Sequence, residues 1–453
     1  MWAAAQWRLN SAFPIRNRFT RSCPPIWATR HLAPGWRIDG QKPEGSRLRQ
    51  DAPTRLQALI DRLNQADPIR AKLPESVEVF CVGGAVRDAL LGHPNSDRDY
   101  VVVGSTVEAM LSAGFMPVGK DFPVFLHPVT HEEFALARTE RKTGSGYKGF
   151  SFQADPSVTL TQDLMRRDLT INAIAVSRTG EVIDPSGGQQ DIVSGCLRHV
   201  GPAFSEDPVR LLRLARFAAR WPDFSIAQAT LSLCQKIVSL QEARALVAER
   251  VWQEIARGLM ESRPSRMLEV LVHTGAWSVL AGGMPAPSMS AQQQLDQAAA
   301  NSAPLETRFA LLILNAGARP LPLHLFKAPR ACLELAELLL RHASTPDHLA
   351  SLIAPRSAEA LDALLQWLGQ TDAERRPQRF ALLLDCMRIV SNLSHQQVER
   401  LKSYADCLGE ATAHQHIAHA VEQAQQAGKS VADAARQARR EVLRSHPDLR
   451  GIR

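Results

Sequence analysis

A chain of 453 residues exceeds one ordinary domain and predicts roughly two to four. Hydrophobic residues make up 45% and charged residues 22%, which excludes a mostly disordered chain, a collagen and a disulfide-rich miniprotein. The 53 basic and 46 acidic residues leave a net charge of +7, which suits a nucleic-acid or nucleotide partner as well as it suits a generic basic surface.

In chain order, residues 1–74 read as a basic, disordered extension. The first 38 residues hold six arginines, no Asp or Glu, and four of the eight tryptophans. That composition fits a transit peptide, a disordered basic arm or a start placed too far upstream. A short helix is predicted at Thr54–Gln65, with Leu56, Leu59, Ile60 and Leu63 on one face. From Val77 the pattern changes to strand (Val77–Val82), a Gly83-Gly84 turn, and helix (Ala85–Leu91) ending at Gly92. Further strands are predicted at Asp97–Val103 and His131–Arg138. Residues 75–200 thus form a mixed α/β head. Beyond it the sequence is helical: a neck at 201–280, then a body and tail at 281–453. Gly282–Pro287 and Ser288–Gln294 read as a linker. Phe309–Ala318 and Leu333–Leu340 read as buried core helices, since no apolar run approaches the ~20 residues of a membrane span. The seven cysteines form no C-x-x-C pair. They suggest neither zinc sites nor a disulfide framework, and fit a reducing cytoplasm.

The chemistry concentrates at Cys81–Gly92 and at Asp97-Arg98-Asp99. Paired glycines before a helix let backbone approach a ligand closely, and free N–H groups at a helix start attract phosphate. Gly84 and Arg87 are therefore phosphate candidates, although a Gly-Gly pair alone usually marks a turn. Asp97 and Asp99 are two apart on a strand, so both point to one face. Two adjacent carboxylates repel unless a cation lies near. Hard oxygen ligands without His or Cys suggest Mg2+. D-x-D by itself reads more often as a polar strand entrance; the upstream glycine turn reverses that preference.

The segment Val82–Val103 resembles the head-domain signature of the polymerase-β-type nucleotidyltransferases. More narrowly it resembles the class II CCA-adding enzymes and bacterial poly(A) polymerases. The resemblance implies an α+β fold, with a mixed-sheet head followed by an all-helical neck, body and tail. It also implies two-metal nucleotidyl transfer, with Asp97 and Asp99 as catalytic metal ligands. Glu133, on the His131–Arg138 strand, is the candidate third carboxylate.

Downstream, Thr143–Phe150 reads as a basic, glycine-rich loop over a triphosphate or an RNA end, or as an ordinary hairpin connection. In Arg166-Arg167-Asp168-Leu169-Thr170-Ile171-Asn172, two arginines and an aspartate at a helix start suit phosphates and ribose hydroxyls, or a surface ion-pair cluster. The string resembles the family's ribose-recognition motif, which implies roles for Arg167, Asp168 and Asn172 in nucleotide binding. Asp184-Pro185, Gly188 and Asp191 resemble a structural element of the family.

In Glu206-Asp207-Pro208-Val209-Arg210, followed by Arg213 and Arg216, arginines recur every three residues on one helix side. A solvated stripe is the ordinary reading. An Asp/Arg pair also has a specific use: the carboxylate accepts from the amino group of cytosine or adenine while the arginine donates to the ring nitrogen. Uracil and guanine present the reverse order and are rejected. The string resembles the motif by which CCA-adding enzymes read the incoming base. That resemblance implies base contacts by Asp207 and Arg210, with Arg213 and Arg216 nearby. Arg250–Glu254 resembles a following helix-stabilising element, read here as packing. Resemblance is strong over 77–278 and thins beyond 280, where no His-Asp pair matches the hydrolase domain of many relatives. The reading is an enzyme that adds C, C and A to tRNA 3′ ends from CTP and ATP, as a monomer or homodimer away from membranes. The rivals are a poly(A) polymerase and a non-catalytic RNA-binding module.

Overall fold

The computed structural model describes residues 52–93, 97–118, 124–142, 150–282, 284–315, 327–343 and 346–450. Residues 1–51, the basic arm, and 143–149, the glycine-rich loop, lie outside them, as do Phe122 and Pro123. The chain divides into two units: one runs through Arg250 and includes His273–Val279, and the other holds Val251–Val272 and everything from Leu280.

The first unit begins with α1 (Ala52–Asn64), which packs on α2 (Gly84–Leu91) and on strands β1 (Glu78–Val82) and β8 (Ala175–Val176). This corrects the expectation that the extension runs to residue 74. Leu59 and Leu63 are fully buried. Asp67 ties the following turn to Arg70 and to His127. The helix pattern there was legible, but its docking depends on partners remote in sequence.

Among the described residues, seven strands form one mixed sheet. Along the chain β1 is followed by β2 (Asp99–Val103), β3 (Met116–Val118), β4 (Val124–Leu126), β5 (Glu133–Leu136), β8 and β9 (Val182–Ile183), and their order is β3-β4-β5-β2-β1-β8-β9. The central pair is antiparallel, with Val82 opposite Asp99, while β2 and β5 are parallel with Asp99 opposite Glu133. The predicted strand His131–Arg138 is two strands: β5 and then β6 (Arg138–Lys142), which pairs with β7 (Phe150–Ala154) as a separate hairpin. Alternation sorts the sheet faces. Phe80, Val82, Val101 and Ala175 lie in one cluster with Leu160 and Leu164 of α4 (Leu160–Met165). On the other face Tyr100 stacks on Phe134, which also meets Phe115 and His127.

Helix α4 starts earlier than the arginine motif suggests. Thr159 and Gln162 form a reciprocal capping box, so Arg166 closes the helix and Arg167-Asp168 follows its end instead of opening one. After α5 (Gly188–Ser194), capped by the Asp184 carboxylate accepting from the Gly188 and Gln189 N–H groups, comes α6 (Val209–Arg220). A side chain at Gly188 would collide with the Thr170 carbonyl at 2.1 Å.

The second unit is helical. Its buried residues include Phe309, Leu311 and Leu312 in Leu305–Asn315, Leu335 and Leu339 in Arg330–His342, and Leu383 and Leu384 in Pro377–Ser391. Residues 251–272, expected within one neck, belong to this unit because later segments hold them. Ser265 bonds to Asp296 through N and Oγ, and Arg308 donates to the Leu259 and Glu261 carbonyls. The expected linker at Ser288–Gln294 is the start of a helix, Met289–Ala300. Ser288 caps it, and Ala291, Leu295 and Ala298 are buried. No helix among the described residues is long and apolar enough to cross a membrane.

Candidate active site

The site is built around the turn between β1 and α2. Gly83 has φ +71°, a conformation that favours glycine, and its N–H donates to the Ile174 carbonyl at 3.0 Å. A Cβ there would also lie 3.0 Å from Arg167 Nη1. The turn is thus bare because an arginine passes over it. Gly84 opens α2 immediately behind.

Asp99 begins β2, and Asp97 precedes the ladder; both are exposed. Surrounding atoms desolvate the Asp99 carboxylate even though its rim is open to solvent. With that desolvation first, then Glu133 and Asp97, its pKa is pushed up to about 6 against the pull of Arg167. The register brings Glu133 beside Asp99 on the same face. Such crowded carboxylates are the donor set a hard divalent cation relieves. Among the described residues no three His, Cys, Asp or Glu side chains converge closely enough to cage an ion. The Asp97/Asp99 pair fits a cation that takes its other oxygens from phosphate and water.

Arg166 and Arg167 are steered by Asp163, which is fully buried. Arg166 donates to its Oδ1 at 2.6 Å and Arg167 to its Oδ2 at 3.2 Å. Burial raises the Asp163 pKa, but the two arginines outweigh it and hold the carboxyl below its ordinary range. Arg167 Nε has no hydrogen-bond partner among the described residues. That leaves one buried donor unsatisfied beside the glycine turn, which calls for an explanation.

The remaining sequence candidates form a relay. The Asp168 carboxylate accepts from Arg213 Nε at 2.7 Å, from Asn172 Nδ2 at 3.0 Å and from the Leu169 N–H at 2.8 Å. Burial alone would raise its pKa; Arg213 and these bonds hold it far below the usual carboxylate range. Arg87 donates to Asn172 Oδ1 and pairs with Asp88 at 2.8 Å, and its guanidinium lies 4.7 Å from the Trp221 ring. Arg220 closes the relay on Asp88 at 3.1 Å. Arg87, expected to contact phosphate, is 4% exposed here, and its partners in this structure are Asn172 and Asp88. Burial lowers its pKa to about 10. Asp168, Asn172 and Arg216 are likewise buried against internal partners, Arg216 with its guanidinium 4.4 Å from Phe217. Arg210 is buried and donates to the Ala203 carbonyl at 3.0 Å. The arginine side of α6 is therefore packed, not a solvated stripe.

Asp207 is held in one orientation. Its Oδ1 accepts from the Val209 N–H, and Arg250 grips both oxygens, at 3.2 and 2.8 Å. Sequence reasoning assigned Arg250 to packing and missed this fork. The signal was the bidentate match of an arginine to a carboxylate, but the 43-residue separation hid the pairing.

Two family profiles match the chain: "Poly A polymerase head domain" over residues 79–198, and "Probable RNA and SrmB-binding site of polymerase A" over 223–286. The multifunctional CCA protein of Dechloromonas aromatica is 48% identical over 345 residues, 68% of this chain and 82% of that protein. The CCA-adding enzyme of Bordetella bronchiseptica is 51% identical over 317 residues, 70% of this chain and 84% of its own. The Bacillus stearothermophilus CCA-adding enzyme in complex with CTP shares the fold, with a TM-score of 0.62 over 87% of this chain and 93% of that one at 24% identity. The Thermotoga maritima CCA-adding enzyme complexed with tRNA superposes with a TM-score of 0.56 over 80% and 86% at 21% identity. With sequence identity near one half to curated relatives over two thirds of its length, the chain belongs to the CCA-adding enzyme family of nucleotidyltransferases.

Proposed function

We infer that the chain adds C, C and A to the 3′ end of tRNA from CTP and ATP, releasing pyrophosphate at each step. One observation carries the division of labour among its residues. The buried relay Arg213–Asp168–Asn172–Arg87 ties α6, just after Asp207, to the head that bears Asp97 and Asp99. Base selection and phosphoryl chemistry are thereby held in fixed register.

The family uses a divalent metal, and magnesium is the ion that suits two carboxylates without nitrogen or sulfur donors. Asp97 and Asp99 would hold it, where it supplies Lewis acidity toward the RNA 3′-hydroxyl and neutralises charge on the triphosphate. Arg167 takes a phosphate or ribose oxygen over the Gly83-Gly84 turn, steered there by Asp163. Asp207, oriented by Arg250, accepts from the exocyclic amino group of cytosine or adenine, and Arg210, one turn on, donates to the ring nitrogen. Uracil and guanine leave like groups facing one another and are excluded. The helical second unit offers its surface to the RNA backbone, whose shape and charge mark a duplex. Cysteines present as thiols among the described residues suit a cytoplasmic setting.

The test is nucleotide incorporation into a tRNA transcript lacking its 3′ CCA, with magnesium and each labelled nucleotide in turn, read at single-nucleotide resolution. Two C and then one A, without U or G, is the expected product. A long A tail would transfer the assignment to a poly(A) polymerase. No incorporation by folded protein that still binds tRNA would make it an RNA-binding module.

A further inference from the structure

The face of the sheet opposite the Asp97/Asp99 pair carries a charged cluster that the reaction itself does not use. On β2 side chains alternate, so Tyr100 points away from the face of Asp99, and Arg98, just before the strand, lies on the side of Tyr100. Both meet one carboxylate. Arg98 Nε donates to Glu132 Oε1 at 2.7 Å, and the Tyr100 hydroxyl donates to the same oxygen at 3.3 Å. The other oxygen, Oε2, accepts from Arg62 of α1 at 2.6 Å and from the Thr130 hydroxyl at 2.9 Å. Glu132 itself sits on a closed turn: its carbonyl accepts from the His127 N–H at 3.0 Å, and the His131 N–H donates to the His127 carbonyl at 2.9 Å. The carboxylate is therefore held from four sides, and its side chain is only 11% exposed.

The position of this clamp matters because of where the ladder ends. The last pairs of β2 with its neighbours involve Asp99, opposite Val82 on one side and Glu133 on the other. Asp97 lies two residues beyond. Backbone pairing fixes Asp99 but not Asp97, and the side chain anchored between them is Arg98.

We propose that Glu132 is a positioning residue for the catalytic pair: by gripping Arg98 and Tyr100 behind the strand, it sets the separation and aim of Asp97 and Asp99 in front of it. This rests on the assignment of those two aspartates as the metal-holding pair. Glu132 touches neither substrate nor metal. Its neighbour Glu133 faces the aspartates; Glu132 backs them. Arg62 brings α1 into the same device, so the helix that precedes the sheet helps hold the chemistry.

The experiment measures three variants in the full chain: Glu132→Gln, Arg98→Gln and the double variant. The readouts are kcat and KM for CTP addition, and Mn2+ affinity without nucleotide by electron paramagnetic resonance. Outer-shell partners of metal ligands are commonly worth 10–100-fold in affinity or rate. Glu132→Gln should lower kcat by about 10–100-fold and weaken Mn2+ binding by about tenfold, with KM for CTP moved less than about threefold. Arg98→Gln should do the same, and the double variant should be no worse than the worse single one, because both act through the Arg98–Glu132 contact. Wild-type Mn2+ affinity and kcat in both single variants would overturn the proposal, as would additive losses in the double. If Glu132→Gln does not fold, Arg98→Gln decides the matter alone, since it leaves Arg62, Thr130 and Tyr100 on Glu132. Asp99→Asn separates the underlying assignment: incorporation by that variant would remove the metal pair itself, whereas an inactive Asp99→Asn with fully active clamp variants would remove only the clamp.

Discussion

The two units of this chain bury different things. The first buries charge: Arg87, Asp88, Asp163, Asp168, Asp191, Arg210 and Arg216 lie inside it, and Asp163 alone steers two arginines. The second buries leucine, alanine and aromatic side chains and keeps much of its ion pairing on the surface, as between Arg330 and Glu334 or His416 and Glu441. It buries fewer charges among the described residues: Arg308 donates to backbone carbonyls, Arg266 pairs with Glu269, and Glu254 is buried. An apolar core gives shape at low risk, because any close-packed arrangement of the right volume serves. A buried charged network is costly to desolvate and adds little net stability, yet it fixes direction. The first unit accepts that cost around the candidate site.

The sharpest way to break the comparison is at the metal pair. Asp99→Asn should lower nucleotide incorporation by about 1000-fold or more, the scale of losing a preorganised electrostatic group. The metal-free protein should nonetheless not be weakened. Desolvation, Glu133 and Asp97 push the Asp99 pKa up to about 6, so its ionised form works against the fold above that pH and its contribution is present only below. The variant should therefore melt at the same temperature or slightly higher at pH 8. The gain is no more than about 1 kcal/mol, because the carboxylate rim is solvent-screened. Scanning calorimetry in chelator, beside a single-turnover assay, checks both halves. A clear drop in melting temperature would mean that Asp99 is structural.

The second unit should respond in the opposite way. Leu384, fully buried in Pro377–Ser391, loses its packing in Leu384→Ala at a cost of about 3 kcal/mol. Denaturant unfolding should show that loss. The single-turnover rate with saturating tRNA and CTP, measured below the melting range, should stay within about twofold, since core packing within the second unit sets stability and not rate. A large fall in rate with an unchanged KM would show that the helical unit shares in positioning the reacting groups.

How much of this was legible in the sequence follows from how local each signal is. The glycine turn, the β2 strand and the arginine side of α6 were readable because period and spacing are properties of neighbours. The mixed α/β region and the helical remainder followed from the same patterns, and the fold class from the family resemblance of the motifs. The boundary of the head was not readable: Leu59 and Leu63 need β1 and α2 to dock against. Nor was the placement of Arg167-Asp168 after a helix, which turns on the Thr159–Gln162 box several residues earlier. Glu132 and Glu133 are adjacent and chemically alike, and only the sheet register tells which faces the aspartates. The Asp207–Arg250 fork and the Asp168–Arg213 pair join segments more than forty residues apart. No pattern in one sequence marks them.

The smallest expected effect tests whether every charged cluster of the first unit serves the chemistry. The Asp67 carboxylate accepts from the Ile69 N–H at 2.9 Å, from the Arg70 N–H at 3.2 Å and from Arg70 Nε at 2.8 Å, and it meets His127 at 3.2 Å. Burial raises its pKa, but these bonds more than reverse that and bring it to about 2. A depressed carboxylate contributes stability above its unfolded pKa of about 4 and loses that contribution as pH falls through about 2. Asp67→Asn should therefore cost about 1–2 kcal/mol at pH 7, with the two unfolding curves converging between pH 4 and pH 2. Urea titrations across that range measure the difference directly. A pH-independent gap would assign the anchor to shape and not to charge. If the variant also changes which nucleotides are incorporated, the anchoring of the segment after α1 reaches the base-reading end of the site. If selection is untouched, as expected, Asp67 is a charge buried for stability alone, and the first unit holds two kinds of network: one that aims the chemistry and one that only fastens a helix to a sheet.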